Sequence, residues 1–189
     1  KVIAKHGAGY DSIDTKAAAD NHVRVVFTPY ANSLSVAEHT AALILACAKK
    51  IPFMAQQYRQ GNHKAKDAYP NTELSGKVLG LVGLGRIGMA VAQIAMNGFG
   101  MNVEAYDPFI AKDKKVNGVT LLEDRDTLFR TADYISVHAP ATPENIKSIG
   151  AREFALMKST AVIVNTARGK IIDEKALIKA IEDGEIGGA

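Results

Sequence analysis

The 189-residue chain is 47% hydrophobic and 23% charged, the balance of an ordinary globular protein that can bury one good core, or one domain and part of another. Its net charge of +3 and lack of a dense Lys/Arg cluster give no argument for nucleic acid, and no apolar run, not even AALILACA before Lys49-Lys50, is long enough to span a bilayer. The N-terminus lacks the succession of a signal peptide, and the lone Cys47 excludes an internal disulfide and fits a reducing compartment, so the expected setting is cytoplasmic.

In chain order, short apolar runs alternate with amphipathic segments. Strands are predicted at VIAK (2–5), VRVVF (23–27), VLGLVG (78–83), NVEAYD (102–107), VTLL (119–122), YISVH (134–138) and AVIVN (161–165). Most are continuous apolar runs rather than strict alternations, the pattern of parallel strands covered on both faces. Helices are expected at Thr15–Asn21 behind an Asp14 cap, over one long stretch from about Ser35 towards Arg59, and at Ile87–Asn97 before a Gly98-Phe99-Gly100 stop. Further helices are expected at Glu123–Ala132, Ala151–Met157 and Asp173–Asp183, and EIGGA closes the chain where another strand would follow. Strands alternating with helices predict a doubly wound α/β parallel sheet with right-handed crossovers.

One boundary is visible. Residues 1–29 form a strand–helix–strand unit that looks like the tail of a second domain. Residues 30–76 supply the long helix and a polar arm, RQGNHKAKDAYPNTELSG, whose Tyr69, Pro70 and Leu74 offer apolar anchors. Residues 77–189 look like the main domain.

Two stretches carry chemistry. VLGLVGLGRIGMAVAQ holds Gly83-Leu84-Gly85-Arg86-Ile87-Gly88 between a strand and a helix, and the next strand ends in Asp107. A lone G-x-G-x-x-G is weak; this context makes it a dinucleotide fingerprint. Gly83 allows the tight turn, Gly85 lets the backbone approach a pyrophosphate, and Gly88 permits close packing of the helix. The amides of Arg86 and Ile87 and the helix dipole then meet the phosphates. Asp107, about 20 residues beyond the loop, can accept hydrogen bonds from both ribose hydroxyls and repels a 2′-phosphate, which favours NAD over NADP. The second stretch, VNTARG (164–169), ends a buried strand pattern on a permanent cation. Either Arg168 is a solvated loop residue, or it waits for an anionic ligand.

Together with HGAGYDSID (6–14), NSLSVAEH (32–39) and VNTARGKIIDEKAL (164–177), the glycine loop resembles the D-isomer-specific 2-hydroxyacid dehydrogenase family along essentially the whole chain, closest to its phosphoglycerate dehydrogenase-like members. The resemblance implies a Rossmann-like NAD-binding domain at 77–189, a remnant of a substrate domain at 1–29, and a homodimer formed through the long helix and arm. It makes Arg168 the catalytic arginine, since a guanidinium fork suits the carboxylate and carbonyl of a 2-keto acid. It places backbone amides of Ala8 and Gly9 on the substrate carboxylate, and Ala139, Pro140, Asn145, Thr166, Ala167 and Arg168 along the cofactor.

The family's acid/base histidine and its glutamate partner are expected beyond Ala189, so His138 is read as a packing or hydrogen-bonding residue, and Glu38 and His39 as structural. On this reading the 189 residues alone bind NAD weakly and do not turn over, whereas the complete protein moves a hydride between nicotinamide and a 2-keto acid. The substrate stays open, with 3-phosphoglycerate and hydroxypyruvate foremost, and no metal is implied. The rival from another class is an NAD-sensing, corepressor-like binding protein.

Overall fold

The computed structural model describes residues 1–110 and 116–189. Two parallel sheets form. In the first, β1 (Val2–Lys5) pairs with β2 (Arg24–Phe27) across α1 (Thr15–Asp20). The Asp14 carboxylate caps α1 by accepting from the Ala17 amide at 2.8 Å.

The second sheet has five strands in the order β5-β4-β3-β6-β7. They are β3 (Val78–Val82), β4 (Asn102–Tyr106), β5 (Thr120–Leu121), β6 (Tyr134–Val137) and β7 (Val162–Asn165). Every pairing is parallel. Strands β6 and β7 are buried almost throughout, Ser136 included, because both faces are covered. Leu79, Leu81, Val162 and Val164 pack under α2 (Ser33–Ala48) and α5 (Arg86–Phe99). Ile135, Val137 and Ile163 face the other way, onto the layer of α6 (Arg125–Thr131), α7 (Ala151–Phe154) and α8 (Glu174–Glu182). At the β7 edge, Gly188 adds an isolated parallel bridge to Val162 in the EIGGA segment.

Three expectations change. The single long helix is two, α2 and α3 (Ile51–Arg59), because Lys50 takes a left-handed φ of 50° and Pro52 follows in the first turn of α3. In one continuous helix Pro52 would have no amide for the Ala48 carbonyl and its ring would clash with it, so the helix breaks ahead of Ile51 and restarts with the proline in its first turn. The arm holds a short helix, α4 (Ala65–Ala68). Within it Leu74 is 5% exposed and belongs to the core beside Ala48, so it is no anchor for a partner, whereas Tyr69 lies edge-on against Phe53. Finally, α5 runs through Gly98 and stops at Gly100, whose φ of 63° closes the helix.

The strand order puts the topological reversal between β3, which is followed by β4 and β5 on one side, and β6 on the other. Their carboxyl ends part there, and that crevice is where ligands bind in open α/β sheets.

Candidate functional site

The glycine loop follows β3 directly. Gly83 has a φ of 95°, and a Cβ on it would lie 3.0 Å from the Ala139 amide nitrogen. Only glycine lets the loop after β3 turn this tightly against the segment after β6. A Cβ at Gly88 would sit 2.5 Å from the Gly83 carbonyl oxygen, so the first turn of α5 presses on the loop itself. At Gly85 a Cβ would meet nothing within 4 Å. That open side lets another molecule reach the backbone, where the amides of Arg86 and Ile87 find no backbone acceptor among the described residues.

Asp107 comes just after β4. Its Oδ2 accepts from the Leu84 amide at 2.9 Å and its Oδ1 from the Phe109 amide at 2.9 Å. The carboxylate is thus fixed to the glycine loop, and each oxygen keeps acceptor capacity for a diol. A cleft of about 290 Å³ joins these parts, lined by Gly83, Gly85, Asp107, Ala139, Pro140 and Asn145 along with Pro108, Phe109 and Arg125. Asn145 closes the far turn by donating from Nδ2 to the Pro140 carbonyl at 3.0 Å. These residues fit a dinucleotide: the cleft joins the open backbone at Gly85 to the fixed Asp107 carboxylate, and Arg86 and Ile87, which follow Gly85 directly, lie outside its lining.

His138 also lines the cleft. Burial pushes its imidazole down to about 4, and Nε2 shares a hydrogen bond of 2.9 Å with the Ser136 hydroxyl. It is neutral at pH 7, as a packing residue should be, and is not an imidazolium acid there. Glu38 and His39 are exposed on α2.

Thr166, Ala167 and Arg168 lie beyond β7, outside the lining of that cleft. The Asn165 side chain shapes their turn, accepting from the Ala167 amide at 3.0 Å and donating to the Arg168 carbonyl at 2.9 Å. Thr166 shares a hydrogen bond of 2.9 Å with Thr40, which is fully buried on α2. Arg168 reaches across to the first sheet. Its Nε donates to Asp11 Oδ2 at 2.7 Å, and its Nη1 to the Ala167 carbonyl at 2.8 Å. A Cβ at Gly9 would lie 2.5 Å from Nη2, so a side chain there would push the guanidinium aside. The hydrogen bond from Arg168 holds the Asp11 carboxyl below its ordinary value. The amide of Gly7 is taken by the Thr28 hydroxyl, whereas those of Ala8 and Gly9 have no acceptor among the described residues. A carboxylate acceptor therefore has two free amides and a guanidinium edge close at hand.

Sequence reasoning missed Asp11, Tyr30, Asn32, Thr40 and Arg125. Asp11 stood inside HGAGYDSID without a role, because its partner is 157 residues away. Asn32 precedes α2 and carries a buried Oδ1 with no hydrogen-bond partner, an acceptor left over at the crossing between the sheets. Arg125 donates to the Ser148 carbonyl at 2.8 Å and to Glu153 at 3.1 Å, tying the rim of the cleft to α7. Its only sequence signal was a cation at the start of a helix.

The sequence profile described as "D-isomer specific 2-hydroxyacid dehydrogenase, NAD binding domain" matches residues 41–189. The chain belongs to this family. Over its whole length it is 45% identical to a D-3-phosphoglycerate dehydrogenase of Methanocaldococcus jannaschii, of which it covers 36%. It is 42% identical to a hydroxypyruvate reductase of Thermotoga maritima, matching 98% of this chain and 59% of that enzyme. Among solved structures, a D-lactate dehydrogenase from Aquifex aeolicus in complex with NAD and lactic acid superposes with a TM-score of 0.88 at 34% identity, covering 100% of this chain and 56% of that one. The chain thus spans about a third of the phosphoglycerate dehydrogenases it matches and somewhat over half of the shorter relatives. The family membership accounts for the doubly wound sheet and makes NAD the cofactor of the domain. No helix among the described residues is long and apolar enough to cross a membrane.

Proposed function

We propose that this chain is the NAD-binding part, with the adjoining edge of the substrate domain, of an enzyme that moves a hydride between nicotinamide and a 2-hydroxy or 2-keto acid. One observation carries the reading. The cofactor cleft after β3, β4 and β6, and Arg168 pressed against the Ala8–Gly9 loop, lie at the carboxyl end of the same sheet.

Gly83, Gly85 and Gly88 shape the loop that receives the pyrophosphate, and the amides of Arg86 and Ile87 bind it. Asp107 takes the adenosine ribose, and Ala139, Pro140 and Asn145 form the opposite wall. Thr166 and Ala167 carry backbone to the nicotinamide side. Bound there, the dinucleotide supplies or accepts the hydride. Arg168 holds the substrate's carboxylate and carbonyl oxygen with its fork of donors, and the amides of Ala8 and Gly9 complete the carboxylate site. Charge developing on that oxygen is stabilised in place by the same guanidinium. The proton comes from a histidine, paired with a glutamate, outside these 189 residues. His138 does not supply it, because its imidazole is neutral down to a pH of about 4.

The preferred substrates in this reading are 3-phosphoglycerate or hydroxypyruvate, the complete protein is a cytoplasmic homodimer, and the pairing surface is α2, α3 and the arm. Exposed Ile51, Tyr58 and Tyr69 on that side support it. The test is an assay of the complete protein with NADH against 3-phosphohydroxypyruvate, hydroxypyruvate and pyruvate. Turnover that Arg168→Ala lowers by about a hundredfold or more supports the reading. No turnover with any acid, together with NAD-dependent dimerisation, contradicts it in favour of a cofactor-sensing binding protein.

A further inference from the structure

Arg86 opens α5 and is exposed, and its guanidinium carbon lies 3.5 Å from the centroid of the Tyr30 ring. We propose that Tyr30 is the positioning residue for Arg86, and that the stacked pair presents this cation to the pyrophosphate of the bound dinucleotide. The assignment rests on the cofactor reading above and deepens it by naming a residue outside the nucleotide-binding motif.

Three observations lead there. First, a cation at the first position of a 14-residue helix sits at the positive end of the helix dipole, with no acidic residue in the first turn to offset it. The placement is electrostatically adverse until an anion arrives. Second, no carboxylate pairs with Arg86 and none of its donors is consumed among the described residues, in contrast to Arg168 on Asp11 and Arg125 on Glu153. A flat stack uses the face of the guanidinium and leaves its edge donors free. An aromatic ring is therefore the support that holds an arginine in place without neutralising it. Third, Tyr30 is 62% exposed and its hydroxyl has no hydrogen-bond partner among the described residues, so what the structure uses is the ring. Its position between β2 and α2 means that the crossing from the first sheet to the second sets the direction of a cofactor-binding cation.

The ¹⁵N-labelled chain can be titrated by NMR with NADH, ADP and adenosine, as wild type, Tyr30→Ala, Tyr30→Phe, Arg86→Ala and the Tyr30→Ala/Arg86→Ala double variant. Tyr30→Ala is expected to weaken NADH and ADP about three- to fivefold, to leave adenosine unchanged, and to add no loss in the Arg86→Ala background. Tyr30→Phe is expected to restore wild-type affinity, which separates the ring from the hydroxyl and from any general loosening of the fold. Undiminished NADH and ADP binding in Tyr30→Ala overturns the assignment alone. So does a matching loss for adenosine, or an equal further loss without Arg86. A wild-type chain that binds neither NADH nor ADP overturns the cofactor reading and this assignment with it.

Discussion

The two halves of the site are built by different means. On the nucleotide side, Gly83, Asp107 and Ala139 follow three neighbouring strands of one sheet; Gly83 leaves no room for a Cβ against the Ala139 backbone, and the Asp107 carboxylate accepts from the Leu84 amide. On the proposed substrate side, Arg168, just after β7, meets Gly9 and Asp11 in the loop after β1, and its ion pair with Asp11 joins side chains that are 43% and 63% exposed. The first half is fixed by steric necessity inside a folded domain. The second depends on how two sheets face each other, held by a contact that water screens. The nucleotide half should therefore resist adjustment and break when altered, whereas the substrate half should tolerate change in stability terms and show it only in chemistry.

The largest effect expected is at Gly88. A methyl group there meets the Gly83 carbonyl, a backbone atom that cannot rotate away, so Gly88→Ala should cost about 3 kcal/mol and abolish measurable NADH binding. Urea unfolding and NADH titration read both, and a variant as stable and as competent as wild type would break the contrast.

His138 sharpens the same point through pH. Burial lowers its folded value from 6.5 to about 4. Between those values the unfolded chain takes up the proton and the folded chain does not. Its contribution is therefore full above pH 6.5, lost as pH falls to about 4, and worth about 3 kcal/mol. Urea midpoints measured across that window should fall with pH, and His138→Gln should flatten the slope.

Asp107 is next. Asp107→Asn removes one charged acceptor from the ribose and should weaken NADH about tenfold, with NADPH less affected. Smallest in stability terms is Asp11→Ala, which should leave the melting temperature unchanged while lowering kcat/KM for a 2-keto acid in the complete protein, through a freed Arg168. A large loss of stability from Asp11→Ala would show that the two halves are not held differently.

The same contrast explains what the sequence disclosed. Six of the seven strands keep all or nearly all of their predicted span, the fifth shrinking to Thr120–Leu121, and the glycine loop and Asp107 stand where spacing placed them, because these features follow from local apolar runs and turns. The break at Lys50 was legible in Pro52 but was overridden by the apolar periodicity on either side. Asp11, Tyr30 and Arg125 were not legible, since their roles come from partners brought close only by the fold. Leu74 reads as a surface anchor because its neighbours in sequence are polar, yet it belongs to the core shared by α2 and α5.

The central claim, that the cleft ending at Asp107 is a site for NAD, is tested most directly by titrating the unaltered chain with NADH and with NADPH under identical salt. The Asp107 carboxylate, held by the Leu84 and Phe109 amides, predicts NADH binding at least about tenfold tighter than NADPH. Equal or tighter binding of NADPH, or no binding of either, would contradict it.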